Sequence, residues 1–79
     1  MRITEFARKT GGTVDEVRYI ERKGFISSRR ARLKQREVRQ YRETDTRKVQ
    51  LIIKYRRQGF TWDSAHERAL QEMEKPSLL

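Results

Sequence analysis

The sequence predicts a small, mainly α-helical domain, and three observations predict it. Apolar residues recur at three- and four-residue spacing in separate stretches, glycines punctuate the gaps between them (Gly11-Gly12, Gly24, Gly59), and Thr13 and Thr61 stand where helix N-caps are needed. With 79 residues and 34% hydrophobic content, the chain builds one thin core and no large enzyme pocket. A domain of this size buries only about 60% of the surface its unfolded chain exposes.

Ile3, Phe6 and Ala7 follow the i, i+3, i+4 spacing of a helix face. They predict a short first helix over residues 5–10, with Thr4 as its N-cap and Gly11-Gly12 as its stop. Thr13 with Glu16 three positions later is the capping-box pattern, in which hydroxyl and carboxylate each satisfy an orphan backbone N–H. It opens a second helix that runs to Gly24, with Val14 and Val17 inward and Asp15, Arg18, Tyr19 and Arg22 on or near the outer face. Two helices joined by a glycine-containing turn make a helix-turn-helix candidate.

Residues 29–42 are ambiguous. Their Ala, Arg, Lys, Gln and Glu are good helix formers, so local propensity makes them a helix. Leu33, Val38 and Tyr41, the larger apolar residues, are too sparse for a continuous helical stripe. From Thr44 or Asp45 the pattern clears. Val49, Ile52 and Ile53 form one stripe, Leu51 and Tyr55 widen it, and the cations Arg56 and Arg57 precede the stop at Gly59. Phe60 leads into a fourth helix capped by Thr61, with Trp62, Ala65, Ala69 and Met73 about one turn apart and Pro76 at the end. The reading is one domain over residues 1–75 and a tail over 76–79, with no internal repeat.

Charge narrows the function. Lys and Arg number 20 against 11 Asp and Glu, and residues 27–42 hold seven bases against one acid, so +6 of the net +9 falls in one segment. Such a patch points to a polyanionic partner, nucleic acid first, against the alternative of a solvated loop. No cysteine is present, which excludes disulfides, thiolate metal sites and thiol redox chemistry. The longest aliphatic run, Leu51 to Ile53, is far too short for a membrane span, and nothing after Met1 resembles a signal peptide. A cytoplasmic location is expected and no membrane partner. His66 stands alone on the expected outer side of the fourth helix, without a second metal ligand. No phosphate loop, nucleophile elbow or paired-carboxylate motif occurs, so neither catalysis nor a cofactor is expected.

The order of parts resembles the DNA-binding domain of the MerR family of bacterial transcription regulators. The likeness runs from Ile3 to about Ala65. It rests on Ile3-Thr4-Glu5-Phe6-Ala7, on Thr10-Gly11 leading into Arg18-Tyr19-Ile20-Glu21-Arg22-Lys23-Gly24-Phe25-Ile26, and on Arg39-Gln40-Tyr41 and Gly59-Phe60-Thr61. The resemblance implies a winged helix-turn-helix of about four helices plus a two-stranded wing over residues 26–41, and so favours a hairpin for the basic segment. The sequence departs from the family pattern at four places. Ile20 stands where a second aromatic is usual, Glu37-Val38 replace Gly-Tyr, the wing is about two residues longer, and Arg42 occupies a customary Ser/Thr N-cap position that Thr44 takes over.

The same resemblance implies the site. Thr13, Val14, Asp15, Arg18, Tyr19, Arg22 and Lys23 belong to a recognition helix in the major groove, and Arg29, Arg30, Arg32, Lys34, Arg36 and Arg39 belong to a basic wing on phosphates or the minor groove. Arg18 and Tyr19 carry the family's phosphate-gripping role by position. The alternatives are an ion pair of Arg18 with Asp15 or Glu21 and a core place for Tyr19. Asp15 either accepts from cytosine N4 or complements the helix dipole, and Trp62 is read as core. The expected function is sequence-specific double-stranded DNA binding in transcription regulation, with RNA polymerase a candidate second partner. An excisionase-like architectural role and an arginine-rich RNA binder are the alternatives. Without a visible heptad seam, a monomer that assembles cooperatively only on DNA is expected.

Overall fold

The computed structural model describes residues 1–74. In chain order it forms α1 (Ile3–Thr10), α2 (Val14–Arg22), β1 (Arg29–Leu33), β2 (Arg36–Gln40), a 3-10 turn (Glu43–Asp45), α3 (Thr46–Arg57) and α4 (Trp62–Glu74). This is a mainly helical chain with one two-stranded antiparallel hairpin, a winged helix-turn-helix. Pro76 and the tail over 76–79 lie outside the described residues.

Helix α1 begins before Thr4, and the cause is a long-range backbone pairing. The Met1 amino group donates to the Tyr41 carbonyl at 2.8 Å, and the Tyr41 N–H donates back to the Met1 carbonyl at 2.6 Å. Residue 1 is thereby fixed beside the end of the wing. Arg2 takes the extended N-cap backbone without a side-chain cap, and its carbonyl accepts from Phe6 N–H at 2.9 Å. Thr4 therefore lies inside the first turn. At the other end Gly11 adopts φ +79°, the left-handed cap that a side chain resists. Gly12 has a different reason to lack a side chain: a Cβ there would stand 2.3 Å from Ile53 Cδ1 of α3.

The expected capping box at α2 forms, with Glu16 N–H donating to Thr13 Oγ1 at 3.1 Å and Thr13 N–H to Glu16 Oε1 at 2.9 Å. Val17 and Ile20 are fully buried and Val14 lies at the edge of the core. Ile20 thus fills core space on the inner side of α2.

The basic segment folds as a hairpin in spite of its helix propensity. Ile26 and Tyr41 are both buried, and the Tyr41 ring stacks on Phe6 at 5.0 Å between centroids. A 14-residue helix would carry its ends about 20 Å apart. A chain that leaves and re-enters one small core must double back, and Arg29 pairs with Gln40, Ala31 with Val38 and Leu33 with Arg36. Only Ala31, Val38 and Gln40 are even half-buried, so the strands pack on one another rather than on the helices. Lys34, first of the two turn residues, sits at φ +56° where glycine is preferred.

Two expectations about α3 and α4 need correction. Thr44 does not cap α3. The chain passes through the 3-10 turn, and Arg42 bridges it by donating to Ser27 Oγ at 2.7 Å while standing 3.8 Å from the Asp45 carboxylate. Helix α3 then starts at Thr46 and buries Val49, Leu51, Ile52 and Ile53. Thr61 does cap α4, accepting from Ser64 N–H at 3.2 Å. Ala65 and Ala69 are fully buried, small enough to bring α4 close to α3, but Met73 is 41% exposed. Each four-residue step advances about 40° around a helix of 3.6 residues per turn, so two steps from Ala65 carry Met73 off the stripe.

Gly12→Ala tests the close approach of the α1–α2 turn to α3. The added methyl should force Ile53 aside and cost about 1–3 kcal/mol, lowering the melting temperature by roughly 4–8 °C per kcal/mol. An unchanged thermal midpoint would show that Ile53 yields without loss.

Candidate nucleic-acid interface

On the outer surface of α2, Asp15, Arg18 and Arg22 are exposed. Neither ion pair conceived for Arg18 forms, and among the described residues Arg18 and Arg22 have no acidic partner. Thr13 is exposed and holds the helix start. Val14 packs against the core edge. Tyr19 is half-buried, its ring 4.9 Å from that of Trp62. Trp62 itself lies at the margin of the core, between Tyr19 and the Arg56 guanidinium 5.1 Å from its centroid. Lys23 turns away to α4, its Nζ 3.1 Å from Asp63, whose hydrogen bond and charge raise the lysine pKa.

The inner edge of α2 is held by two carboxylates. Glu21, with 14% of its side chain exposed, accepts from the Ser28 hydroxyl, from the Tyr41 hydroxyl at 2.7 Å and from Arg39 at 2.8 Å. Burial alone would raise its pKa, but the hydrogen bonds from Ser28, Tyr41 and Arg39 outweigh that and hold it below the ordinary carboxylate value. The Tyr41 phenol is pushed up to about 12 by burial and by the Glu21 carboxylate it faces. Glu16, already part of the capping box, also takes two bonds from Arg57 of α3 at 2.6 and 3.0 Å. The Arg57 bond is the main reason its pKa is lowered, against an opposing contribution from burial. Glu21 therefore fixes the wing to α2, and Glu16 fixes α2 to α3.

Between the start of α1, α2 and strand β2 lies a cleft of about 680 Å³, walled by Arg2, Arg18, Arg22, Arg39 and Val38, with Glu21 and Tyr41 also on its lining. Four guanidinium groups surround a carboxylate already engaged by three donors. Arg2 is the one basic wall that sequence reasoning missed: an isolated base outside any periodic stripe carries no local signal of where it will stand. On the wing, Arg29, Arg32, Lys34 and Arg36 are exposed and have no acidic partner among the described residues. Arg30 stands 3.9 Å from Glu37, a loose surface pair. Arg39, expected to face a nucleic acid, is tied to Glu21 with about half its side chain exposed.

His66 is not on an outer surface. Its ring stacks on Phe25 at 3.8 Å, and its Nε2 is buried without a hydrogen-bond partner. Burial first, then the nearby Lys48 charge, lowers its pKa. Among the described residues no group of three metal-ligating side chains occurs, and no helix is long and apolar enough to cross a membrane.

The family model for the MerR helix-turn-helix family of regulatory proteins matches residues 1–72. No curated protein matches the chain.

The clamp at Glu21 sets a pH dependence at each end of the scale. A lowered carboxylate pKa contributes stability that is complete above the unfolded value near 4.3 and is lost as the pH falls through the folded value. The raised Tyr41 phenol contributes stability that is complete below about pH 10 and is lost as the pH climbs to about 12. Glu21→Gln should lower the urea-unfolding free energy at pH 7 by about 1–3 kcal/mol and flatten the decline between pH 5 and 3. Parallel acid limbs in the two proteins would remove Glu21 from the clamp.

Proposed function

The chain belongs to the MerR family of helix-turn-helix regulatory proteins, and from that premise we propose that it regulates transcription by sequence-specific binding of duplex DNA, with α2 in the major groove and the wing on the flanking backbone. Its DNA-binding unit is residues 1–75. The start of α2, with Thr13, Val14 and Asp15, lies nearest the base edges, while Arg18, Tyr19 and Arg22 engage phosphates along it and Lys23 stays paired with Asp63. Arg29, Arg30, Arg32, Lys34 and Arg36 neutralise phosphates beside the minor groove. Arg39 keeps N–H donors for the backbone while bound to Glu21, since a guanidinium has five.

One observation carries this reading: Arg18 and Arg22, without acidic partners, share a cleft with Arg2 and the wing strand. A structural ion-pair network would have consumed those charges. Here the ion pairs leave Arg18, Arg22, Arg29, Arg32, Lys34 and Arg36 without an acidic partner among the described residues, and these cations remain available to a polyanion. Residues 29–40 paired as a hairpin also remove the support for a preformed arginine-rich helix that would insert into folded RNA.

Titration of duplex DNA should give a double-logarithmic salt slope near −5, as expected at about −0.9 per phosphate for five or six contacts. Arg18→Ala should weaken binding about tenfold, equivalent to about 1.4 kcal/mol, whereas Arg47→Ala on α3 should not. A salt-independent affinity, or equal losses at Arg18 and Arg47, would refute the placement of α2. Genomic fragments recovered by the protein identify the role: promoters support a regulator, recombination attachment sites an architectural protein.

We also propose that these 79 residues are monomeric in solution and associate only on neighbouring DNA sites. The buried Ala65 and Ala69 commit the apolar stripe of α4 to the core, and Leu70 and Met73 alone among its large apolar residues are exposed. That is less than the sustained seam a coiled coil needs. Sedimentation equilibrium at tens of micromolar should return the 9.6 kDa chain mass; a stable free dimer would contradict it.

A further inference from the structure

A second hollow, of about 600 Å³, opens at the base of the wing. Its walls are the loop that follows α2, the strand residues Arg30 and Arg39, and the turn into α3 with Arg42, Asp45 and Lys48. Arg30 and Arg39 are direct partners on the ladder, so they share one face of the hairpin. The volume lies in the range of small-molecule sites, about 300–1,000 Å³. Four cations against two carboxylates, Glu21 and Asp45, leave the lining with an excess of two positive charges.

Two of these cations are held in place with donors to spare. Lys48 is half-buried and donates to the Phe25 carbonyl, yet among the described residues it has no acidic partner. A shielded ammonium without a counter-charge carries a cost that an incoming anion removes. Its field reaches the neighbouring imidazole: after burial, the Lys48 charge is the next cause of the lowered His66 pKa. Arg42 donates to the Ser27 hydroxyl at 2.7 Å and stands 3.8 Å from Asp45, which leaves other N–H donors of its guanidinium uncommitted. Ser27 is exposed, and while it accepts that bond its own proton is still free to donate. Glu21 already holds three donors and so competes little for Arg42 or Lys48. Phe25 and Ile26 add apolar surface to the same lining.

We propose that this hollow binds a phosphomonoester, the terminal phosphate of a small phosphorylated metabolite, through Arg42, Lys48 and the Ser27 hydroxyl, with Arg30 beside them. A terminal phosphate carries close to two negative charges at neutral pH and three strong acceptor oxygens. A phosphate within a nucleic-acid backbone carries one charge and an ester on either side. The excess of two positive charges in the lining therefore matches the monoester. Arg42, Lys48 and Ser27 stand outside the set assigned to duplex DNA, so this inference does not rest on that reading. Ser27 precedes β1 and Arg42 follows β2, while Lys48 belongs to α3. An occupant thus joins both feet of the wing to the helical body.

The test is an amide NMR titration of the full chain, without DNA and at constant ionic strength, with two probes. Phenyl phosphate is a dianion at about pH 7.5, above its second pKa near 6; methyl phenyl phosphate is the monoanionic diester of similar shape. The monoester should give saturable shifts confined to residues 24–28 and 42–48, with a Kd of about 1 mM or tighter, and the diester should bind at least about tenfold more weakly. Ser27→Asp sets a carboxylate before Arg42 and should weaken monoester binding at least about tenfold, as should Arg42→Gln combined with Lys48→Gln. Arg8→Ala, which removes a base outside the hollow, should bind as wild type does. Circular dichroism checks that each variant is folded. Wild-type shifts that never saturate, that spread over the whole basic surface, or that are equal for the two esters overturn the site whatever the variants do. Undiminished binding by a folded Ser27→Asp protein overturns it as well.

Discussion

The geometry of this protein depends on one carboxylate. The wing is a two-stranded hairpin with almost no apolar surface to rest on, and such a hairpin is marginal on its own. Glu21 supplies the missing support from α2, collecting Ser28 before the first strand, Arg39 within the second and Tyr41 after it. Hydrogen bonds to a charged group contribute about 1.5–3 kcal/mol each, and more is lost when one partner is removed from a shielded site. The angle between helix and wing is thus a property of the charge on Glu21. Placed on α2 one turn from Arg18, the same residue connects the basic outer face of α2 to the wing.

The helical body uses the same economy. Its core is thin, and long-range polar pairs do what apolar area cannot. Glu16 closes its own helix and accepts Arg57 from α3, so the start of α2 is positioned from two directions. The backbone exchange between Met1 and Tyr41 adds a third tie between α1 and the wing. Glycine at position 12 lets α3 approach closely enough for Ile53 to seal the gap. Together these ties fix α1, α2, α3 and the wing against one another.

What could be read from the sequence divides along the range of the interactions. The capping box at Thr13, the cap at Thr61 and the stripes of α2 and α3 are contacts between residues three or four apart, so they are written in local spacing. The hairpin was legible only through resemblance, because its residues favour a helix and the fixed positions of Ile26 and Tyr41 overrule them. Glu21 looked like a possible partner for Arg18 because an i, i+3 pair can be counted along the chain; its true partners lie up to 20 positions away. The bond from Arg57 to Glu16 spans 41, and nothing in the spacing announces it. Thr4, Thr44 and Met73 were misplaced for kindred reasons. Tertiary ties reset both helix starts, and the helical pitch rotated the last residue of a stripe out of the core.

The contact between Tyr19 and Trp62 has an optical consequence. Trp62 is the sole tryptophan of the chain, its ring lies 4.9 Å from a tyrosine of α2, and an arginine covers it 5.1 Å away. Excitation absorbed by Tyr19 passes to Trp62 at that separation, and the indole emission responds to the charge and polarity beside it. Any ligand that draws Tyr19 or Arg56 towards its phosphates changes both the transfer and the emission maximum. The molecule therefore contains a native fluorophore at the rim of the proposed binding surface, able to report occupancy in real time without a label.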